Sequence, residues 1–223
     1  MPLKAKDRVN GLIISDNIYT KKPITENDIK IFTMLANQAG LAIENSQLYE
    51  KVVLKSRTDG LTNLWNHGYF QEKLAEEIQK AQSNQTPLSL TIIDIDDFKK
   101  LNDSLGHQTG DIILREIAYI LNSHSRSTDY VCRYGGEEFA IILPQTSPQQ
   151  GHDIAERLRS HIEQFSFCTD RKLRLTVSIG IAHFPEHGTT KEELIAQADK
   201  AMYIAKFSGK NRTCIASTVK PAA

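Results

Sequence analysis

The stretch "RYGGEEFAIIL", residues 133–143, decides the fold. Two glycines interrupt apolar, strand-like flanks, and two glutamates follow them directly. Glycine accepts positive φ without a side-chain clash, so Gly135-Gly136 predicts the tight turn of a β-hairpin. The turn leaves Glu137 and Glu138 unexplained, because they open a strand that otherwise reads as buried. Upstream, "DYVCRY" is the first hairpin strand, "GDIILREIAYILNSH" a helix and "LSLTIIDID" (88–96) a strand. Downstream, the Ser-capped "SPQQGHDIAERLRSHIEQF" is a helix and "LRLTVSIGIAHF" a strand. Strand, helix, hairpin, helix, strand is the split β-α-β-β-α-β order of an α+β, ferredoxin-like core. A right-handed crossover makes the first two strands parallel. The carboxyl end of strand 88–96 then lies at the same end of the sheet as the hairpin tip. The third strand, starting at Glu137, runs antiparallel beside the first, which makes Asp94 and Glu137 neighbours.

Around this core, "HGYFQEKLAEEIQKAQ" is an amphipathic helix with Phe70, Leu74, Ile78 and Ala81 on one face. "TKEELIAQADKAMYIAKFSG" is a helix ending at Gly209, and "NRTCIAS" is a short last strand. At the other end, "DRVNGLIISDNIY" reads as a strand broken by a turn. Thr25 and Asp28 then form a capping box for a helix running to about Val53. Ile31, Met34, Gln38, Leu41, Asn45, Leu48 and Val52 follow a three-four spacing along it. That is the seam of a coiled-coil dimer with polar residues selecting register, or equally the face of one helix packed on its own domain. The expected organisation is a partial domain and long signalling helix over 1–57, a main domain over 58–216 and a tail over 217–223. The first fifty residues are too few for a good core and read as the remnant of a larger domain.

Acidic and basic residues balance at 27 each in 223 residues, so no broad field points to nucleic acid or a membrane surface. No apolar run matches a membrane span, and no signal-peptide pattern opens the chain. Cys132, Cys168 and Cys214 lack metal-ligand spacing and read as reduced thiols of a cytoplasmic protein.

Carboxylates gathered at one sheet end repel one another and stay ionised only around a positive partner. A few hard oxygen ligands suit Mg²⁺, with Mn²⁺ possible, shared with substrate phosphates. Alternation puts Asp94 and Asp96 on one strand face and Glu137 and Glu138 on opposite faces. Taken singly, "DID" or "EE" is no more than a solvated acidic strand end.

Together with "DGLTNLWN", "DIDDFKKLND", "GHQTGD", "VSIGIA" and "AK…GKNR", the opening stretch resembles the GGDEF family of diguanylate cyclases. The resemblance runs from about Asp59 to Arg212. "LANQAGLAIENSQLYE" resembles the closing helix of a GAF sensor domain. The first resemblance implies a palm-type fold and a homodimer that condenses two GTP into cyclic di-GMP, releasing pyrophosphate. It implies Asp94, the backbone carbonyl of Ile95, Glu137 and Glu138 as metal-site residues, with Glu137 accepting the proton of the attacking 3′-hydroxyl. Lys99 stabilises the transition state near the phosphates. Asn102, His107 and Asp111 bind substrate, and an acid at Asp111 accepts from the guanine edge that adenine lacks. Lys206 and Lys210 contact phosphates; the family more often has arginine at the second, so Lys210 keeps the charge and loses the bidentate fork. His67 stands where the family usually has arginine. "RSTD" matches an inhibitory product site at Arg126 and Asp129, with Arg157 as a second contact. The alternatives are a non-catalytic cyclic di-GMP receptor and a dimerisation module.

Overall fold

The computed structural model describes residues 1–5, 8–19, 21–167 and 173–217. Cys168 and tail residues 218–223 lie outside the described residues. The chain divides into two compact units, Met1–Ser56 and Arg57–Ala223.

In the first unit, β1 (Pro2–Ala5) pairs antiparallel with β2 (Arg8–Leu12). The long helix α1 (Glu26–Arg57) follows. Its capping box forms as the sequence predicts: the Asp28 N–H donates to Thr25 Oγ1 at 3.2 Å, and Asp28 Oδ2 accepts from the Thr25 N–H at 2.8 Å. Only Ala36 and Gly40 of this helix are buried. Ile31, Met34, Leu41, Leu48 and Val52, the apolar members of the expected seam, are all exposed.

In the second unit the elements are α2 (His67–Asn84), β3 (Leu88–Ile95), α3 (Phe98–Leu105), α4 (His107–Ser123) and β4 (Tyr130–Arg133). They continue as β5 (Glu138–Pro144), α5 (Pro148–Gln164), β6 (Val177–Phe184), α6 (Lys191–Phe207) and β7 (Arg212–Ile215). The sheet order is β4-β5-β3-β6-β7. β3 runs antiparallel to both β5 and β6, whereas β7 pairs parallel with β6. The expected helix at 110–124 starts three residues early, and the short α3 was not anticipated. The two helices meet at Gly106, whose φ of +84° breaks the path between them.

Side-chain alternation sends the two faces of β3 into separate cores. Ile93 and Ile95 join Phe139, Ile141, Ile179 and the apolar faces of α4 and α5. Leu88, Leu90 and Ile92 join Ala140, Ile142 and the buried faces of α2 and α6, including the predicted Phe70, Leu74, Ile78 and Ala81. Each fully buried leucine or phenylalanine contributes about 1.5–3 kcal/mol. The approach of α6 is unusually close. A β-carbon at Gly180 of β6 would overlap the Ala198 carbonyl and the Met202 backbone nitrogen.

The hairpin differs from expectation in three ways. β5 begins at Glu138 rather than Glu137, so Glu137 belongs to the connection. The connection spans residues 134–137, with the Tyr134 and Gly135 N–H groups both donating to the Glu138 carbonyl at 2.8 and 3.1 Å. Neither Gly135 nor Gly136 takes a positive φ. Gly135 instead lies close to the Glu138 carboxylate: a β-carbon there would sit 2.5 Å from Oε2, and that side chain would have to shift. The tip is fixed from outside by Arg133. Its Nη2 donates to the Gly136 carbonyl at 2.7 Å, and its Nη1 donates to both Asp59 carboxylate oxygens at 3.1 Å. Burial opposes ionisation of Asp59, but bonds from Thr62 and Arg133 hold its pKa below the usual carboxylate range.

Candidate active site

β3 and β5 place the acids. Asp94 pairs across the ladder with Glu138, not with Glu137 as the strand start at Glu137 had implied. Both sit at even positions, so both project to the α2/α6 side, where Lys206 lies on the last turn of α6. The Lys206 ammonium contacts Asp94 Oδ2 at 2.6 Å. Asp94 is 3% exposed, and its Oδ1 is buried with no hydrogen-bond partner.

Electrostatics at this end oppose ionisation. Burial pushes the Asp94 carboxyl up despite Lys206. Burial raises Glu137, and the charge of Asp94 adds to it. Glu138 is raised by burial, then by Asp94 and by Asp199, an acid that sequence reasoning did not single out. These are carboxylates in need of a cation. Among the described residues no three His, Cys, Asp or Glu side chains are already placed to hold a metal ion. The donors do fit a partly protein-held Mg²⁺: one bare buried oxygen on Asp94 and hard oxygens on Glu137 and Glu138, too few to complete its shell without water or phosphate.

The other expected residues divide into groups. Asn102 on α3 has its Oδ1 buried without a partner, lying against Gly110 of α4. His107 and Asp111, one turn apart on α4, are exposed. Lys99 in the first turn of α3 is exposed. The Lys210 ammonium meets Asp97 at 2.6 Å, and Lys100 meets the same carboxylate at 2.7 Å. Between these lysines the Asp97 pKa falls to about 2. Asp96, which alternation grouped with Asp94, is fully engaged elsewhere: it accepts from Thr176, Ser178 and the Asn211 N–H.

Arg126 and Asp129 occupy the α4–β4 turn, at the opposite end of β4 from the hairpin tip. The Arg126 N–H donates to Asp129 Oδ2 at 2.8 Å, and Asp129 Oδ1 is buried without a partner. Burial raises the Asp129 pKa against that hydrogen bond. Arg157 Nη2 donates to the His124 carbonyl at 3.1 Å, which ties α5 to the end of α4 beside this turn. His67 stacks on Phe70 at a ring separation of 6.3 Å and meets Tyr134 edge-on at 5.0 Å.

A mixed sheet with acids at the carboxyl end of its central strand, and Lys206 set against them, is the frame of a palm-type domain. The family model "Diguanylate cyclase, GGDEF domain" matches residues 56–212, and the chain belongs to that family. It is 36% identical over 228 residues to "Diguanylate cyclase A" of Treponema denticola, covering all of this chain and 60% of that relative. It is 44% identical over 156 residues to "Diguanylate cyclase DosC" of Escherichia coli K12, covering 69% of this chain and 34% of the relative. The chain therefore spans less than two thirds of these curated relatives, and about a third of the second. Among solved structures it resembles the coiled coil and GGDEF domain of DgcB from Caulobacter crescentus in complex with c-di-GMP. That likeness has a TM-score of 0.76 at 30% identity, over 84% of this chain and all of the other. No described helix is long and apolar enough to cross a membrane.

Proposed function

We propose that this chain is a diguanylate cyclase that condenses two GTP into cyclic di-GMP and releases pyrophosphate, with Mg²⁺ and as a homodimer. The observation that carries the reading is the buried, unpartnered Asp94 Oδ1 beside Glu137 and Glu138, with Lys206 as the only cation on that carboxylate among the described residues.

In this reading Asp94, Glu137, Glu138 and the Ile95 carbonyl hold the metal. Bound there, Mg²⁺ would neutralise charge on the phosphates and lower the pKa of the attacking hydroxyl. Glu137, raised by burial and by Asp94, is poised to take the 3′-hydroxyl proton. The 3′-oxygen bonds to the α-phosphorus of the facing GTP as the bond to the pyrophosphate oxygen breaks, and the step is repeated in the opposite sense. Lys99, Lys206 and Lys210 receive phosphate charge. Lys206 and Lys210 must exchange Asp94 and Asp97 for phosphate as substrate enters. Asn102, His107 and Asp111 hold guanine and its sugar, favouring GTP.

Product restrains the enzyme at Arg126, Asp129 and Arg157, where Asp129 Oδ1 is an open acceptor for a guanine N–H. The exposed α1 seam pairs with a second copy, and residues 1–57 are the end of a GAF-like sensor. Residues 1–57 lie within the alignment to the Treponema denticola relative, which supports their being an integral part of such proteins.

Incubation with GTP and Mg²⁺ at dimer-favouring concentration, read by mass spectrometry, tests the central claim. Absence of cyclic di-GMP would sink it. Replacing Leu41 and Leu48 with glutamate should lower activity and shift sedimentation towards monomer; an unchanged profile removes the seam from the account.

A further inference from the structure

Asp96 lies two residues beyond Asp94 and is 5% exposed, yet it has no oxygen free for a ligand. Oδ1 accepts from Ser178 Oγ at 2.7 Å. Oδ2 accepts from Thr176 Oγ1 at 2.7 Å and from the Asn211 backbone N–H at 3.1 Å. Asn211 is gripped again through its side chain, whose Oδ1 accepts from Arg159 Nη1 at 2.6 Å and whose Nδ2 donates to Glu163 at 2.8 Å. Asn211, in the turn between α6 and β7, is thus clamped between the end of β3 and Arg159 and Glu163 of α5.

The clamp holds unfavourable backbone. Lys210 and Asn211 have φ of +60° and +45°, and Asp97, facing them, has +58°. Residues with a β-carbon avoid this left-handed region, and they keep it where surrounding contacts over-determine it, commonly at ligand clamps. The two left-handed segments are joined by the 2.6 Å Lys210–Asp97 contact.

We infer that Asp96 is a positioning residue: through Asn211 it fixes the left-handed turn that presents Lys210 to substrate phosphate. The inference rests on the cyclase reading and on Lys210 as a phosphate contact. It also gives a reason why lysine serves at 210. A single ammonium lacks the planar fork of arginine, so its grip depends more on where its backbone is held.

The test is a double-mutant cycle on the full chain, with initial rates measured by pyrophosphate release. Asp96→Ala should raise the KM for GTP about tenfold while kcat stays within about threefold, the signature of lost ground-state binding. In a Lys210→Ala background the same substitution should raise KM no further. Asp96→Asn retains an oxygen for the Asn211 N–H and should restore KM to within about threefold of the starting chain. Additive effects of Asp96→Ala and Lys210→Ala, or a lowered melting temperature with unchanged KM, would overturn the proposal. If Asp96→Ala does not fold, Asn211→Gly serves in its place. Glycine accepts the turn but drops the bonds to Arg159 and Glu163, so KM should rise about threefold and only when Lys210 is present. Should the unsubstituted chain make no cyclic di-GMP, the cyclase reading fails. Calorimetric titration with GTP over the same cycle then still decides the positioning role.

Discussion

The two ends of β3 both bury polar groups, and they treat them in opposite ways. At the carboxyl end Asp94 keeps a bare oxygen, and Glu137 and Glu138 are pushed towards protonation. At the amino end Ser89 and His183 face each other as cross-strand partners and are hydrogen-bonded to one another. The Ser89 hydroxyl has one proton, and the Thr146 carbonyl at 2.9 Å can only accept it. His183 Nδ1, 2.8 Å from Ser89 Oγ, is therefore the donor of that pair, and its Nε2 is left as a neutral, bare acceptor. The His183 backbone N–H in turn donates to His187 Nδ1 at 2.9 Å. One end keeps its bare atom neutral. The other gathers Asp94, Glu137 and Glu138 around one ammonium, that of Lys206, so that burial and mutual repulsion oppose their ionisation.

The largest way to break this contrast is to remove the charge at the open end. Asp94→Asn or Glu137→Gln should cut cyclic di-GMP formation by about 10²–10³-fold, typical of losing one preorganised electrostatic group. Product quantified by chromatography checks it, and retention of more than a tenth of the rate would exclude these acids from the chemistry.

A second expectation concerns stability. Carboxylates whose folded pKa is raised weaken the fold at neutral pH, and that cost disappears as pH falls through the folded pKa to the ordinary carboxylate range, or as a cation binds. Mg²⁺ at a hundredfold excess over its Kd should raise the melting temperature by roughly 5–10 °C. Asp94→Asn should raise the metal-free value and abolish the shift. An equal Mg²⁺ response in both proteins, measured by scanning calorimetry, would place the cation elsewhere.

The closed end sharpens the comparison through the opposite pH limb. Burial, followed by neighbouring His187 and His152, lowers the His183 pKa from 6.5 to about 4. A depressed histidine contributes stability above its unfolded pKa, and that contribution is lost as pH falls from 6.5 to 4. The loss is on the order of 2 kcal/mol, and His183→Gln should flatten it in urea titrations at pH 7 and pH 4.5. A smaller effect is due at Ser89→Ala. Stripping partners from the Thr146 carbonyl and His183 should cost about 1–2 kcal/mol while KM and kcat stay unchanged.

Much of this was legible in the sequence, and the limits have physical causes. Alternation and three-four spacing located the sheet and every long helix, because those periods report which face is buried. Capping chemistry at Thr25 and Ser147 fixed two helix starts. The eight-residue α3 lacks a side-chain N-cap and was hidden inside a motif. Glu137 moved out of the strand because Arg133 captures the Gly136 carbonyl, a contact that no local pattern announces. The site acids could be nominated from "DID" and "EE", but their division of labour could not. What separates Asp96 from Asp94 is hydroxyls 80 and 82 residues away in the chain and a backbone N–H 115 residues away. Lys206 and Asp94 are likewise joined only by the way α6 lies on the sheet.

That seating of α6 has a further consequence. Where a helix rests on a strand through a glycine, backbone touches backbone, and no flexible side chain lies between them to act as a cushion. Met202 and Lys206 are one turn apart, so the lysine is referenced to β6 almost as a fixed stop on a rail. The second unit then has little means of tuning this lysine by sliding α6. Gly180 would be as sensitive to substitution as any acid at the sheet end, although it has no atom with which to meet a substrate.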